Sequence, residues 1–307
     1  MRTAFVVSVL AFIVPVLTAP TLIPIVKRDA PVKQDSYIIK FKDAASKASA
    51  LQQLAEKLKG GVGSSVTYDY SPLFNGIAAT LKSNDLDYVR GMSGIEYIEP
   101  DHIVSLAESV PSSALDIVPP VAAGALVQRA DGATNGQGVT VYGIDTGIYT
   151  EHSCFGGRAK WGATYGGHPN KDGNGHGTHT AATAVCNTYG VATEANIVAV
   201  KVLSDQGSGA MSDVAAGVQY AFDQYKAHGR PSVVTMSLGG LATDKALNQV
   251  VQAAIAGGLH FTVAAGNSNV PADTISPANV EEANTIGAVD STKNNEKASF
   301  LELWKAY

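Results

Sequence analysis

Between Ser36 and Val104 the spacing of apolar residues switches repeatedly between the period of a strand and that of a helix. Tyr37-Ile38-Ile39-Lys40-Phe41 reads as a strand, and Asp43 can cap a helix whose Leu51, Leu54 and Leu58 share one face before Gly60-Gly61 stops it. Val66 to Tyr70 and Phe74 to Leu81 read as strands around the turn Ser71-Pro72. A short helix carrying Leu86 and Val89 follows, and Ile95-Glu96-Tyr97-Ile98-Glu99 closes the unit as a strand. The order strand, helix, two strands, helix, strand predicts a small ferredoxin-like α+β domain over 36–106.

After Gly138 the pattern changes to short apolar runs separated by longer amphipathic segments. Strands are expected near 139–144, 196–203, 232–237 and 260–265, and helices near 177–186, 212–226 and 244–256. This alternation predicts an α/β unit with a doubly wound parallel sheet. In the last helix Leu247, Val250, Val251, Ala254 and Ile255 form one stripe, ended by Gly257-Gly258. Residues 107–137, rich in Ala, Pro and Gly, read as linker and lead-in.

Composition supports two packed units rather than disorder: 45% of the 307 residues are hydrophobic and only 16% charged. The formal charge of -5 is spread without runs of one sign, which gives no footprint for nucleic acid. Arg2, the apolar run Ala4 to Val14 and the small residue Ala19 have the layout of a secretory signal over 1–19, and that run is short for a membrane span. The expected product is therefore secreted, extracellular and free of the membrane once the signal is removed. A monomer is the default expectation. Cys154 and Cys186 could pair in an oxidising compartment or stand as two buried thiols; spacing alone does not decide.

The chemistry concentrates after Gly138. Asp145 ends the apolar run Val139-Thr140-Val141-Tyr142-Gly143-Ile144, where an open α/β sheet presents its functional groups. Asp172-Gly173-Asn174-Gly175-His176-Gly177-Thr178-His179 then opens an Ala-rich helix with a glycine-bounded histidine. His176 as general base, with its second ring nitrogen held by Asp145, is one reading of the pair. A capping histidine is another, and a zinc site built on His176 and His179 is a third that predicts stoichiometric metal after dialysis.

Asp145-Thr146-Gly147, His176-Gly177-Thr178-His179, Met236-Ser237-Leu238-Gly239-Gly240 and Ala264-Ala265-Gly266-Asn267 together resemble the subtilisin-like serine proteases, in their order and spacing, and most of all the proteinase K group. Residues 36–106 resemble that family's inhibitor pro-region, and 138–300 its peptidase domain. The resemblance implies that Asp145 and His176 are catalytic, that Asn267 is a donor of the oxyanion hole, and that Ser237, Leu238 and Gly239 line one side of a substrate strand. It implies that Ser208 and Gly209 line the other side. The expected partners are protein or peptide substrates, and the chain's own pro-domain as intramolecular inhibitor.

The sequence contains no Gly-Thr-Ser, the block in which the family carries its nucleophile. After Lys297-Ala298-Ser299-Phe300 the tail 301–307 departs from the family pattern, so the expectation is a peptidase domain truncated before its serine and inactive as written. The alternative is a non-catalytic secreted protein whose pro-domain inhibits an intact relative. Members of the family often bind calcium, and Pro277 resembles part of one such site, but no cofactor and no metal ligands are assigned. The resemblance places the pro-region cut near Leu106 and Ala107.

Overall fold

The computed structural model describes residues 22–26, 30–59, 63–106, 135–240, 244–268 and 270–287. The expected signal segment, nearly all of the linker, and the tail lie outside the described residues.

The first unit runs β1 (Val32–Phe41), α1 (Ala44–Lys57), β2 (Ser65–Asp69), β3 (Gly76–Thr80), α2 (Ser83–Arg90) and β4 (Ile95–Leu106). All its strand pairs are antiparallel, in the order β4-β1-β3-β2, which gives the expected ferredoxin-like sheet. Asp43 caps α1 as anticipated: its carboxylate accepts from Ser46 N at 2.7 Å. Ile39, Phe41, Leu54, Ile77 and Ile98 pack beneath α1 and α2 as a self-contained core. An additional short stretch lies alongside, where Ile25 bridges Ile98 and Ile23 exchanges bonds with Arg90.

The second unit is a six-stranded parallel sheet ordered β12-β11-β9-β5-β7-β6. Its strands are β5 (Thr140–Asp145), β6 (Ala159–Thr164), β7 (Asn196–Lys201), β9 (Ser232–Met236), β11 (His260–Ala264) and β12 (Asn284–Ile286). The helices are α3 (His176–Val185), α4 (Met211–His228) and α5 (Lys245–Ala256). Side chains alternate between the sheet faces. Val141, Ile197 and Ala199 meet Ala181 and Val185 of α3, whereas Tyr142, Ile144 and Val200 meet α4 and α5. Helices on both faces make this the doubly wound sheet expected from sequence.

The two units share one core. Ile38, Tyr70, Phe74, Ala78, Val104 and Leu106 of the first pack into the cluster built by α4, α5 and their sheet face. Two carboxylates of β4 also reach across to helix N-termini: Glu99 accepts from Ala246 N at 2.9 Å, and Asp101 accepts from Ser212 N at 2.9 Å and from Ser212 Oγ at 2.6 Å. Backbone amides in a first helical turn have no partner within the helix, so these buried acids satisfy donors that the second unit leaves open. His102 lies fully buried in the same seam, with Nδ1 3.4 Å from Asp244 Oδ2.

Candidate active site

Asp145 is placed by the end of β5, and its carbonyl accepts from Val202 N at 2.9 Å. Its carboxylate is buried and takes a 2.6 Å bond from Thr146 N and a 3.4 Å bond from Thr180 Oγ1. His176 opens α3 with Nδ1 at 2.8 and 3.0 Å from the two Asp145 oxygens. An imidazole that donates Nδ1–H to a carboxylate carries its lone pair on Nε2, the arrangement a general base needs. Burial alone would lower the proton affinity of His176, but the Asp145 hydrogen bond and the charges of Asp145 and Asp172 outweigh it and raise the pKa above the ordinary imidazole value.

The close approach of α3 to the turn after β5 depends on glycine. A Cβ on Gly177 would stand 2.1 Å from the Gly147 carbonyl oxygen, and Gly147 itself has φ +111°. Asp172 ties the same two segments together. Its Oδ1 accepts from Thr146 Oγ1 at 2.9 Å and Gly175 N at 2.8 Å, and its Oδ2 accepts from Thr178 N at 2.9 Å and Thr178 Oγ1 at 2.5 Å. These bonds overcome burial and hold its carboxyl below the usual range. Lys201, paired in register with Asp145, is fully buried and donates to Thr146 O at 2.5 Å and Asp205 Oδ1 at 3.0 Å. The sequence motif contains Asp172 but gave it no role, and nothing in the pattern distinguished Lys201 from a surface lysine at a strand end.

Two short strands flank the end of β4. On one side Ile103, Val104 and Ser105 pair with Ala210, Gly209 and Ser208 of β8 (Ser208–Ala210), and Leu106 N donates to Gly207 O at 2.8 Å. On the other side Leu106 and Ser105 pair with Leu238 and Gly239 of β10 (Leu238–Gly239). Ser208, Gly209, Leu238 and Gly239 therefore come together around one extended segment, while Ser237 lies between β9 and β10, outside the pairing. Asn267 is half-buried and follows β11 through Gly266, on the same carboxyl edge of the sheet as Asp145.

The cysteines that sequence allowed to pair stand as free thiols. Among the described residues no three His, Cys, Asp or Glu side chains are grouped to hold a metal ion, and His176 Nδ1 is committed to Asp145. Among the described residues the zinc pair His176 and His179 therefore has no third such ligand beside it. Among the described residues no helix is long and apolar enough to cross a membrane.

The Peptidase_S8 model of the subtilase family matches residues 136–302, and that of peptidase inhibitor I9 matches 36–107. The chain is 37% identical over 302 residues to Subtilisin-like serine protease Pen ch 13.0101 of Penicillium rubens, spanning 93% of this chain and 75% of that protein. It is 34% identical over 310 residues to the cuticle-degrading protease of Metarhizium anisopliae, spanning 95% and 77%. The solved structure of fervidolysin from Fervidobacterium pennivorans, a keratinolytic enzyme related to subtilisin, shares the fold with a TM-score of 0.59 at 18% identity, over 82% of this chain and 43% of that one. These matches cover both folded units, and with them the chain belongs to the subtilase family of serine proteases, carrying an inhibitor I9 pro-region ahead of its peptidase domain.

Proposed function

We propose that this chain is the precursor of a secreted serine endopeptidase in which Asp145 and His176 are the acid–base arm, acting on a serine nucleophile from a Gly-Thr-Ser segment that residues 1–307 do not contain. The observation that carries the reading is the Nδ1 bond of His176 to Asp145 at 2.8 Å, on a helix that Asp172 fixes to the same turn. In the reaction His176 Nε2 takes the hydroxyl proton of the nucleophile as it attacks the peptide carbonyl, then returns it to the leaving amine. Asp145 stabilises the imidazolium formed in between. Asn267 would donate to the developing oxyanion; loss of such a donor costs about 100-fold or more in rate, a figure for which subtilisin is itself the reference case.

The pairing of β4 with β8 and β10 supports a substrate clamp in which backbone hydrogen bonds seize an extended peptide regardless of its side chains. The pro-region tail occupies that clamp, which supports a role as intramolecular inhibitor and a cut just beyond Leu106. It also favours a second reading, in which residues 36–106 bind and inhibit an intact relative in trans.

Sequencing the full-length message across the codons for Phe300 and Leu301 separates the two. A frame that continues into Gly-Thr-Ser supports the endopeptidase. A message that stops after Tyr307 removes catalysis from this product and leaves inhibition, which then requires nanomolar or tighter binding of 36–106 to a subtilisin-like protease.

A further inference from the structure

Cys154 and Cys186 lie at the far end of α3 from His176. Cys154 sits in a single helical turn, Ser153–Phe155, and Cys186 is the residue that ends α3. Asn187 N donates to Cys154 O at 2.8 Å, so the backbone already holds the two positions side by side. Arg158 fastens the same junction, donating to Val185 O at 2.8 Å, Asn187 Oδ1 at 2.5 Å and Ala195 O at 2.6 Å. Phe155 and Val185, each next to one cysteine, are fully buried in one cluster. Each thiol stands near enough to shift the ionisation of the other. Backbone positions joined by a bond such as that from Asn187 N to Cys154 O lie near the Cα separation that a disulfide spans, about 4.4–6.8 Å.

We propose that Cys154 and Cys186 are a built disulfide site, closed by exchange with a small disulfide donor, and that the bond ties the C-terminal end of the His176 helix to the turn at 153–155. Cys154 is the more exposed of the two and takes the donor first: its thiol loses a proton, its sulfur bonds to one donor sulfur, and the other leaves as thiolate and is protonated. Cys186 then attacks the Cys154 sulfur and expels the second donor thiol. Two protein thiols and one donor disulfide become one protein disulfide and two donor thiols. Burial pushes the Cys154 thiol up, and its neighbour Cys186 adds to this, to about 12, so exposure and not thiolate population makes Cys154 the entry point and the first exchange is the slow step. At Cys186 burial is outweighed by the bond from Cys154 and by the amides of Thr188 and Tyr189, which hold its thiol below the usual value and favour its role as the resolving thiolate.

The loop so closed contains the whole Asp172 to His179 segment. With Asp172 gripping the first turn of α3 and the disulfide gripping its end, the helix would be anchored at both ends.

The test uses the full chain incubated with oxidised glutathione, blocked with N-ethylmaleimide, digested with trypsin without reductant and mapped by mass spectrometry. The expected product is peptide 130–158 linked to peptide 172–201, 2 Da lighter than their sum. The oxidised protein should melt on the order of 10 °C above the same protein after reduction. The variant C154A should show neither the linked peptide nor the redox-dependent melting, and comparing redox states of one wild-type chain keeps the test valid even if the variant folds poorly. Maleimide on both cysteines of the folded chain after glutathione treatment, or linkage found only between two chains, would overturn the proposal.

Discussion

The two faces of the parallel sheet are completed in different ways. The face under α3 closes with residues of the peptidase unit alone: Val141, Ile197 and Ala199 against Ala181 and Val185. The face under α4 and α5 is finished by the pro-region, which contributes Tyr70, Phe74, Val104 and Leu106 to its core and two carboxylates to its helix N-termini. The Asp145–His176 pair belongs to the first face, and the paired strands around β4 belong to the second. The lesson is that the Asp145–His176 geometry stands on local packing, whereas the strands around β4 and the helices beside them are shaped by the pro-region.

Substitutions can break this division. The largest effect is expected for Tyr70→Ala, which empties a fully buried ring position in the shared core and removes the 3.1 Å bond to Ser212 O. It should cost about 3–5 kcal/mol in urea unfolding and loosen the pro-region, seen as faster amide exchange at Ser105 and Leu106. The His176–Asp145 contact should persist. Loss of that contact together with the pro-region would show that the faces are not independent.

Asp101→Ala removes the acceptor for Ser212 N and Oγ and for Ser36 Oγ, leaving buried donors unmet. A loss of about 1–3 kcal/mol is expected, again concentrated at the junction between units. Asp43→Ala should cost about 1 kcal/mol through the α1 cap and leave the amides of α4 and α5 protected, because that core is separate.

The smallest expected effect sharpens the other side. His176 should titrate above an ordinary histidine in NMR, and Asp172→Asn should lower that midpoint by removing a nearby negative charge while keeping acceptor oxygen in place. Because the folded pKa is raised, the Asp145–His176 ion pair contributes stability that is full below the unfolded value near 6.5 and is lost as pH rises through the folded one. A midpoint unchanged by the substitution would remove Asp172 from the electrostatics of the site.

Much of this was legible in sequence. The central strands β5, β7, β9 and β11 are short apolar runs, as strands buried on both faces must be, and α5 announces itself by its apolar stripe and the glycines that end it. The edges were missed for physical reasons. In β6, Gly162 and the shift in register between Trp161 and Ala163 destroy any alternation, and β12 has only Asn284–Ile286 to show. Asp145 and His176 were found through their motifs and Asp172 was quoted without a role, because a hydrogen-bond fork with partners at Thr146 and Thr178 exists only once the chain is folded. Glu99 and Asp101 were unreadable for a similar reason: acids in a strand suggest an exposed face, and only docking onto two helix ends makes their burial favourable.

One unbroken strand, β4, runs from the pro-region sheet into the gap between β8 and β10. Mechanically, this makes the junction a lap joint. A pull along the strand loads its cross-strand bonds in parallel, so they must fail together, whereas a sideways peel loads them one after another. Traction on the pro-region along β4 should therefore unravel α1 and α2 before the joint slips.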